Sequence, residues 1–244
     1  MKFASIDDLR ESVIHCRQFG CPFRSTARGY YPKPPKGPTA ADVMIIFENP
    51  KTPGGHSPDE MAFDIGDIKL ADAIRLCLQG QKHWLFDVQG ADEDMWTEFG
   101  FTLGKTVYTT DSHKCPDPKV KEIVTTALKK VKKERARGLC REEYLREEIR
   151  LVQPKAIIAF GEPSRKSLAE IERLVWNGNI TAFTQDQRVK VENGRCYALL
   201  PHPGWYIRQY GKEKGKQPFN DDVRFVFAKV REFLKAVHPE LPKA

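Results

Sequence analysis

The chain has 244 residues, of which 40% are hydrophobic, and it is basic, with 40 Lys and Arg against 33 Asp and Glu. This content is enough for one globular core, and the basic balance favours a polyanionic partner such as nucleic acid, although a charge that only maintains solubility explains it nearly as well. No apolar run reaches the roughly 18 residues of a membrane span, and the N-terminus runs into Asp7 and Asp8 instead of a signal-peptide core. We therefore expect a soluble, cytoplasmic protein without a membrane partner.

Short apolar runs alternate with longer amphipathic segments along the chain. Helical spacing begins at Ile6, and a proline-rich connector follows at residues 31–38. The predicted strands are residues 43–47, 107–110, 156–160 and 197–200, and the predicted helices after the first lie near residues 68–78, 119–135, 141–151, 164–176 and 221–237. This alternation predicts a three-layer α/β/α sandwich with a central, mostly parallel four-stranded sheet, to which residues 185–191 could add a hairpin.

Polar residues follow the ends of the predicted strands. Glu48 comes directly after the first strand, Asp111 after the second and His202 shortly after the last. In open parallel sheets, ligands bind beyond the carboxyl ends of the strands. We therefore expect Glu48, Asp111 and His202 to converge on one crevice.

Four of the six cysteines form two pairs that lie far apart in the chain. Cys16 stands near Cys21, and Cys115 precedes Cys140 in the second pair. A folded domain can bring the pairs together, and four thiolates complete one coordination shell. In a reducing compartment this arrangement favours a metal or cluster over disulfides, with zinc and iron–sulfur both open. The other two cysteines stand in apolar segments and are expected to be buried bystanders: Cys77 and Cys196.

These strand ends and cysteines together resemble the motifs of the iron–sulfur uracil-DNA glycosylases, often called family four of the uracil-DNA glycosylase superfamily. That family has a Gly-Glu-Ala-Pro-Gly loop after the first strand, then a phenylalanine, an Asn-Val-Val-Lys-Cys run after the second strand and a His-Pro-Ser run after the last. This chain has Phe47-Glu48-Asn49-Pro50, Phe63, Asp111-Ser112-His113-Lys114-Cys115, His202-Pro203-Gly204 and Arg208. The cysteines follow the family's order, so the resemblance spans residues 16–208.

The chain departs from the family pattern in three respects. The first two cysteines are separated by four residues where the family usually has two, and the segment between the other two is longer and rich in lysine and arginine. The flanking glycines of the first motif are missing, and Asn49-Pro50 resembles other branches of the superfamily. The base-reading asparagine is replaced by Asp111. The chain is therefore identified as a divergent member.

The resemblance implies a monomeric DNA glycosylase that flips out uracil, within a range that could include other deaminated bases, and excises it from single- or double-stranded DNA in base-excision repair. Cleavage of the glycosidic bond builds positive charge on the sugar and negative charge on the base. Glu48 would activate water and stabilise the sugar, while His202 would donate to uracil O2. The chain 1–244 would form one domain with an N-terminal cluster-binding segment of about residues 1–40. The implied ligands of a 4Fe–4S cluster are Cys16, Cys21, Cys115 and Cys140.

The resemblance also implies a set of DNA-contacting residues. Phe63 would stack on the flipped base, with Asn49 in the same substrate-binding region. The vacated stack would be filled from residues 205–207, with Tyr206 as the expected wedge. Arg208 and the lysines within residues 212–216 would hold phosphates.

Asp111 is the position on which base specificity depends. An asparagine amide matches uracil O4 and N3–H, whereas an ionised aspartate only accepts hydrogen bonds and would repel O4. Three outcomes stay open: Asp111 is protonated in a dry pocket, it prefers a base edge with two donors, or it does not touch the base. We expect that uracil excision is retained.

Less specific interpretations apply to the same residues. His202 alone could be a turn residue, Glu48 a helix cap and Phe63 plain core. The basic residues 119–137 could be the solvated face of a helix, and His113 is expected to be a solvated loop histidine. The alternative function is a non-catalytic nucleic-acid-binding protein of the same fold with a structural cluster, and a redox protein is a more distant option.

Overall fold

The computed structural model describes residues 3–16, 35, 37–48, 101, 106–114, 134–211, 214 and 216–237. The predicted helix at residues 68–78 and most of that at residues 119–135 lie outside these ranges. Within them, the strands are β1 (Val43–Phe47), β2 (Val107–Asp111), β3 (Ala156–Phe160), β4 (Val189–Glu192) and β5 (Arg195–Leu200). The α-helices are α1 (Ile6–Ile14), α2 (Arg146–Val152), α3 (Glu162–Glu172), α4 (Pro203–Tyr210) and α5 (Lys216–Val237).

The strands form one mixed sheet in the order β2-β1-β3-β5-β4. The first four of these strands pair in parallel, and β4 pairs with β5 in antiparallel orientation. The mostly parallel sheet of four predicted strands is confirmed, and the hairpin that residues 185–191 could add is present and contributes a fifth strand, β4. Asn193 and Gly194, between its strands, have φ of 53° and 72°, as a type I′ turn requires. As an edge strand, β4 has half-buried and exposed residues, so it lacks the apolar run that marks the other four.

Helices cover both faces of the sheet, because alternate side chains of each strand point to opposite sides. On one face, Val43 and Ile45 belong to a core with Phe227 of α5. On the other, Met44 and Ile46 belong to a core that includes residues of α2 and α3. The three-layer α/β/α arrangement follows from these two cores. In the described part of the chain, no helix has the length and apolar character needed to cross a membrane.

One helical segment runs through residues 134–152 and contains a π turn, Arg141–Leu145, just before α2. Its carboxyl end is at Gln153, which has a left-handed φ of 50°. Near its middle, the Arg141 guanidinium lies 2.5 Å from the Glu170 carboxylate of α3. This contact, together with the burial of Tyr144 and Leu145, fixes the segment beside the sheet.

Candidate active site

The carboxyl ends of the four parallel strands lie at one edge of the sheet. β1 is paired with β2 so that Phe47 stands beside Asp111. β3 continues into Gly161, whose N–H donates to the carbonyl of Leu200 at the end of β5, 2.8 Å away. The functional candidates at this edge are Glu48, Asp111 and His202.

Gly161 lies close to both Glu48 and His202. Its φ of +86° is a conformation that side-chain-bearing residues rarely adopt. A Cβ atom built on Gly161 would lie 3.6 Å from the Cβ of His202 and 3.9 Å from Oε2 of Glu48. Glu48 and His202 therefore lie beside the same glycine, and their convergence on one crevice stays a prediction. His202 is exposed, and the Glu48 side chain is 31% exposed.

Ser112 joins the loop after β2 to the first motif. Its N–H donates to the Phe47 carbonyl at 2.7 Å, and its hydroxyl donates to the Glu48 carbonyl at 2.6 Å. Asp111, directly before it, is half-buried at the same edge. The next residue, His113, is 2% exposed. The expectation of a solvated histidine is wrong, because the loop turns back into the protein here.

Lys114 is a buried cation beneath this loop. Its ammonium lies 2.6 Å from a carboxylate oxygen of Glu148, and both side chains are at most 1% exposed. It also donates to the Asp111 carbonyl at 2.8 Å. Burial raises the pKa of Glu148, and the charge of Lys114 opposes that rise. The pair fastens the backbone of the predicted base-reading position to α2.

Arg137 reaches the crevice from the helical residues 134–140. Its guanidinium is 4.0 Å from Oε1 of Glu48 and 3.3 Å from a carboxylate oxygen of Glu134. The sequence placed Arg137 only within a basic run. Nothing in the local pattern shows which of several neighbouring basic residues faces Glu48, because that depends on how the helix packs.

Two of the four predicted cluster ligands lie at one small apolar cluster. Cys16 follows α1, which starts with a capping box between Ser5 and Asp8. Both Cys16 and Cys140 pack against this cluster, which includes Tyr144. Neither cysteine forms a disulfide. Two soft sulfur donors at one place fit either zinc or an iron–sulfur cluster.

The third predicted ligand position adjoins the same place. The N–H of Lys114 donates to the Cys140 sulfur at 3.3 Å, and Cys115 is the next residue in the chain. Hydrogen bonds to ligand sulfurs are a common feature of iron–sulfur sites. Cys21 and Cys115 lie outside the described residues. Within the described residues, no three His, Cys, Asp or Glu side chains are grouped as a metal site.

Tyr206 does not occupy the position that a wedge requires. Its side chain is 1% exposed, and its hydroxyl donates to Asp222 and accepts from Arg188. Burial raises the pKa of this phenol above its ordinary range. To enter a base stack, the ring would have to leave this network, so the prediction of Tyr206 as the wedge is wrong. Arg208 is exposed, as a phosphate contact requires, whereas two further predicted substrate residues lie outside the described ranges: Asn49 and Phe63.

The fold and the site define an α/β protein whose candidate site residues lie at the carboxyl edge of a parallel sheet. A sequence profile of the Uracil DNA glycosylase superfamily matches residues 34–224. This match covers most of the chain, and the chain belongs to that superfamily. The chain is also similar to the Type-5 uracil-DNA glycosylase of Pyrobaculum aerophilum, with 26% identity over 212 residues that cover 81% of each protein. The resemblance to the superfamily is confirmed. The motifs suggest family four as the subgroup, and the relative's name is type 5.

Proposed function

We propose that this DNA glycosylase hydrolytically excises uracil, and other deaminated bases that Asp111 accepts, to leave an abasic site in base-excision repair. Membership of the superfamily supports glycosylase activity and DNA as the partner. The observation that carries the proposal is the placement of Glu48 and His202 beside one glycine: a Cβ on Gly161 would lie 3.9 Å from Oε2 of Glu48 and 3.6 Å from the Cβ of His202. Because Gly161 has no side chain, the space next to both groups is not filled from this position.

The two side chains have the polarities that the reaction needs. Bond cleavage leaves positive charge on the sugar, which the Glu48 carboxylate stabilises while it orients the attacking water. Negative charge grows on the departing base, and His202 donates a hydrogen bond to the base O2 as this charge develops. The two groups act on opposite ends of one breaking bond.

The surroundings of Lys114 support a monofunctional enzyme. A bifunctional glycosylase needs a lysine amine that can attack the sugar. The lysine of the second motif is instead buried, and its ammonium pairs with Glu148. Water is therefore the proposed nucleophile.

We further propose that Cys16, Cys21, Cys115 and Cys140 hold a 4Fe–4S cluster. The shared apolar surroundings of Cys16 and Cys140 and the Lys114 hydrogen bond to Cys140 support this. The cluster would supply a cross-link between the N-terminal segment and the loop after β2. The proposed excision does not require electron transfer from it.

The proposed function is tested with oligonucleotides, single- and double-stranded, that carry uracil, hypoxanthine, xanthine or a thymine mismatch, followed by alkaline cleavage at abasic sites. We expect the wild type to excise uracil. Glu48→Gln and His202→Ala should each slow single-turnover excision by about 10²–10⁴-fold, because each removes a group that acts on the breaking bond. Glu232→Gln is the matched control, since Glu232 is an exposed glutamate of α5 that pairs with Lys229.

Two results would contradict the proposal in different ways. Excision of another base but not of uracil would support glycosylase activity and contradict uracil as the substrate. It would also favour an Asp111 that prefers a base edge with two donors. DNA binding without excision of any base in the panel would favour the alternative, a non-catalytic nucleic-acid-binding protein of the same fold.

A further inference from the structure

The two oxygens of the Glu48 carboxylate face different neighbours. Oε1 lies 4.0 Å from the Arg137 guanidinium. Oε2 lies toward Gly161, 3.9 Å from the place of a Cβ on that glycine, and the Cβ of His202 lies 3.6 Å from the same place. The carboxylate is thus oriented with one oxygen toward the helix and the other toward the crevice.

The helix that carries Arg137 is anchored on both sides of this residue. Ala136, directly before it, is buried. Three residues after it, the sulfur of Cys140 accepts a hydrogen bond from the Lys114 N–H. Arg141 then lies 2.5 Å from Glu170 of α3. Arg137 therefore approaches Glu48 from a backbone that packing and hydrogen bonds hold in place.

Other charged groups share this edge of the sheet. Glu134 lies 3.3 Å from the Arg137 guanidinium and shares its charge. Asp111 stands beside the end of β1 and would repel the Glu48 carboxylate when ionised, whereas His202 would attract it when protonated. Among these neighbours, only Arg137 carries a charge that is positive at every working pH.

We propose that Arg137 is a positioning residue for Glu48 in base excision: it holds Oε1, so that Oε2 is aimed at the water and sugar between Gly161 and His202. This inference rests on the proposed function. A half-exposed ion pair at this distance contributes little to stability, but misplacement of a catalytic group by about 1 Å can cost about 10²-fold in rate. We therefore expect Arg137 to affect the rate of the chemical step more than the stability of the protein.

The test must distinguish this positioning role of Arg137 from a role in DNA binding. An arginine that contacts phosphate contributes to affinity and to the salt dependence of binding, with a loss of about 1 in the slope when it is removed. A positioning arginine changes the rate at saturating protein instead. The exposed Arg135, two residues away on the same helix, provides the matched control with the same change of charge.

The experiment compares wild type, Arg137→Gln, Arg137→Lys and Arg135→Gln. Single-turnover excision is measured with protein in excess, and affinity is measured separately on DNA that carries a stable abasic analogue at several salt concentrations. We expect Arg137→Gln to slow excision by about 10- to 100-fold with affinity and salt slope no different from those of Arg135→Gln. Arg137→Lys, which keeps the charge but loses the planar fork, should recover part of the rate.

The outcomes separate this inference from the function on which it rests. If the wild type excises no base, the proposed function fails and the inference fails with it. If the wild type is active but Arg137→Gln behaves like Arg135→Gln, or loses only affinity and salt slope, the inference alone is overturned. Circular dichroism of each variant identifies any that does not fold. If Arg137→Gln does not fold, the excision rate of Arg137→Lys is compared with that of Arg135→Gln instead, and equal rates would overturn the inference.

Discussion

At the scale of single residues, Gly161 is the position on which the geometry of the crevice depends. It has a φ of +86°, and both Glu48 and His202 lie close to it. A residue that follows a buried strand can be identified in the sequence, so Glu48 and His202 could be predicted. The need for glycine at position 161 could not be predicted, because it arises from the backbone angle and from the approach of residues that follow two other strands.

Gly161→Ala should therefore impair catalysis beyond its cost to stability. Gly161 has φ 86° and ψ 160°, a region that is essentially restricted to glycine and costs other residues about 1–3 kcal/mol, and the new Cβ would lie 3.6 Å from that of His202. Gly194→Ala is the matched control, since Gly194 also has positive φ but a Cβ there has no neighbour within 4 Å. Urea unfolding should show a loss of stability for both variants, whereas single-turnover excision should fall only for Gly161→Ala. Equal excision rates in the two variants would contradict this role for Gly161.

Arg137 shows where residue-level prediction from sequence ends. Its contact with Glu48 joins residues that are 89 positions apart in the chain. The segment around Arg137 contains many lysines and arginines, and each is chemically able to pair with a carboxylate. Only the packing of the helix selects one of them.

At the scale of elements, α4 and α5 are joined through a buried polar network. Asp222 of α5 binds both the Tyr206 hydroxyl of α4 and the guanidinium of Arg188, which precedes β4. Tyr206 also packs edge-to-face on Phe219, at 5.3 Å between ring centroids. Because α4 begins directly after His202, this network fixes the helix that follows the imidazole.

Asp222→Ala should strongly destabilise the protein. It leaves the Arg188 cation buried without its carboxylate, and breaking a buried ion pair in this way costs about 3–5 kcal/mol. Asp221→Ala is the matched control, because Asp221 is the exposed neighbour on the same helix and binds only Gln217 among the hydrogen bonds described for it. The free energy of unfolding is measured for both variants by urea denaturation. A loss for Asp222→Ala no larger than that for Asp221→Ala would contradict the role of the network.

The elements themselves were predictable to different degrees. The strands at residues 43–47 and 156–160 have the predicted bounds, because a strand that is buried on both faces is a continuous apolar run. β4 lacks that signal because it lies at the sheet edge. The family spacing selected Tyr206 as the wedge, but its packing against α5 turns the ring into the core.

At the scale of the whole molecule, the predicted cluster would connect the N-terminal segment to the loop after β2. Cys16 follows the first helix, whereas Cys140 contacts the residue before Cys115, in the loop that also carries Asp111. Loss of the cluster should therefore loosen the N-terminal segment and the base-reading loop together.

Removal of a cluster ligand tests this coupling. Purified wild type should absorb visible light and contain iron and acid-labile sulfide, whereas Cys16→Ser and Cys140→Ser should lose both and unfold at lower temperature. Cys77→Ser, which changes a cysteine outside the predicted ligand set, should keep iron and sulfide. A colourless wild-type protein that contains zinc would contradict the iron–sulfur cluster and indicate a zinc site instead.

The π turn Arg141–Leu145 has a geometrical consequence for the site. Arg137 and Cys140 lie before this turn, and Glu148, the partner of Lys114, lies after it. Each residue of an α-helix advances by about 100° around the axis, and a π turn contains one more residue than an α turn. Deleting that residue would rotate Arg137 and Cys140 by about 100° relative to Glu148. The additional residue therefore sets the rotation about the helix axis at which one helix faces the proposed catalytic carboxylate Glu48, the predicted cluster ligands and the buried Lys114 at the same time.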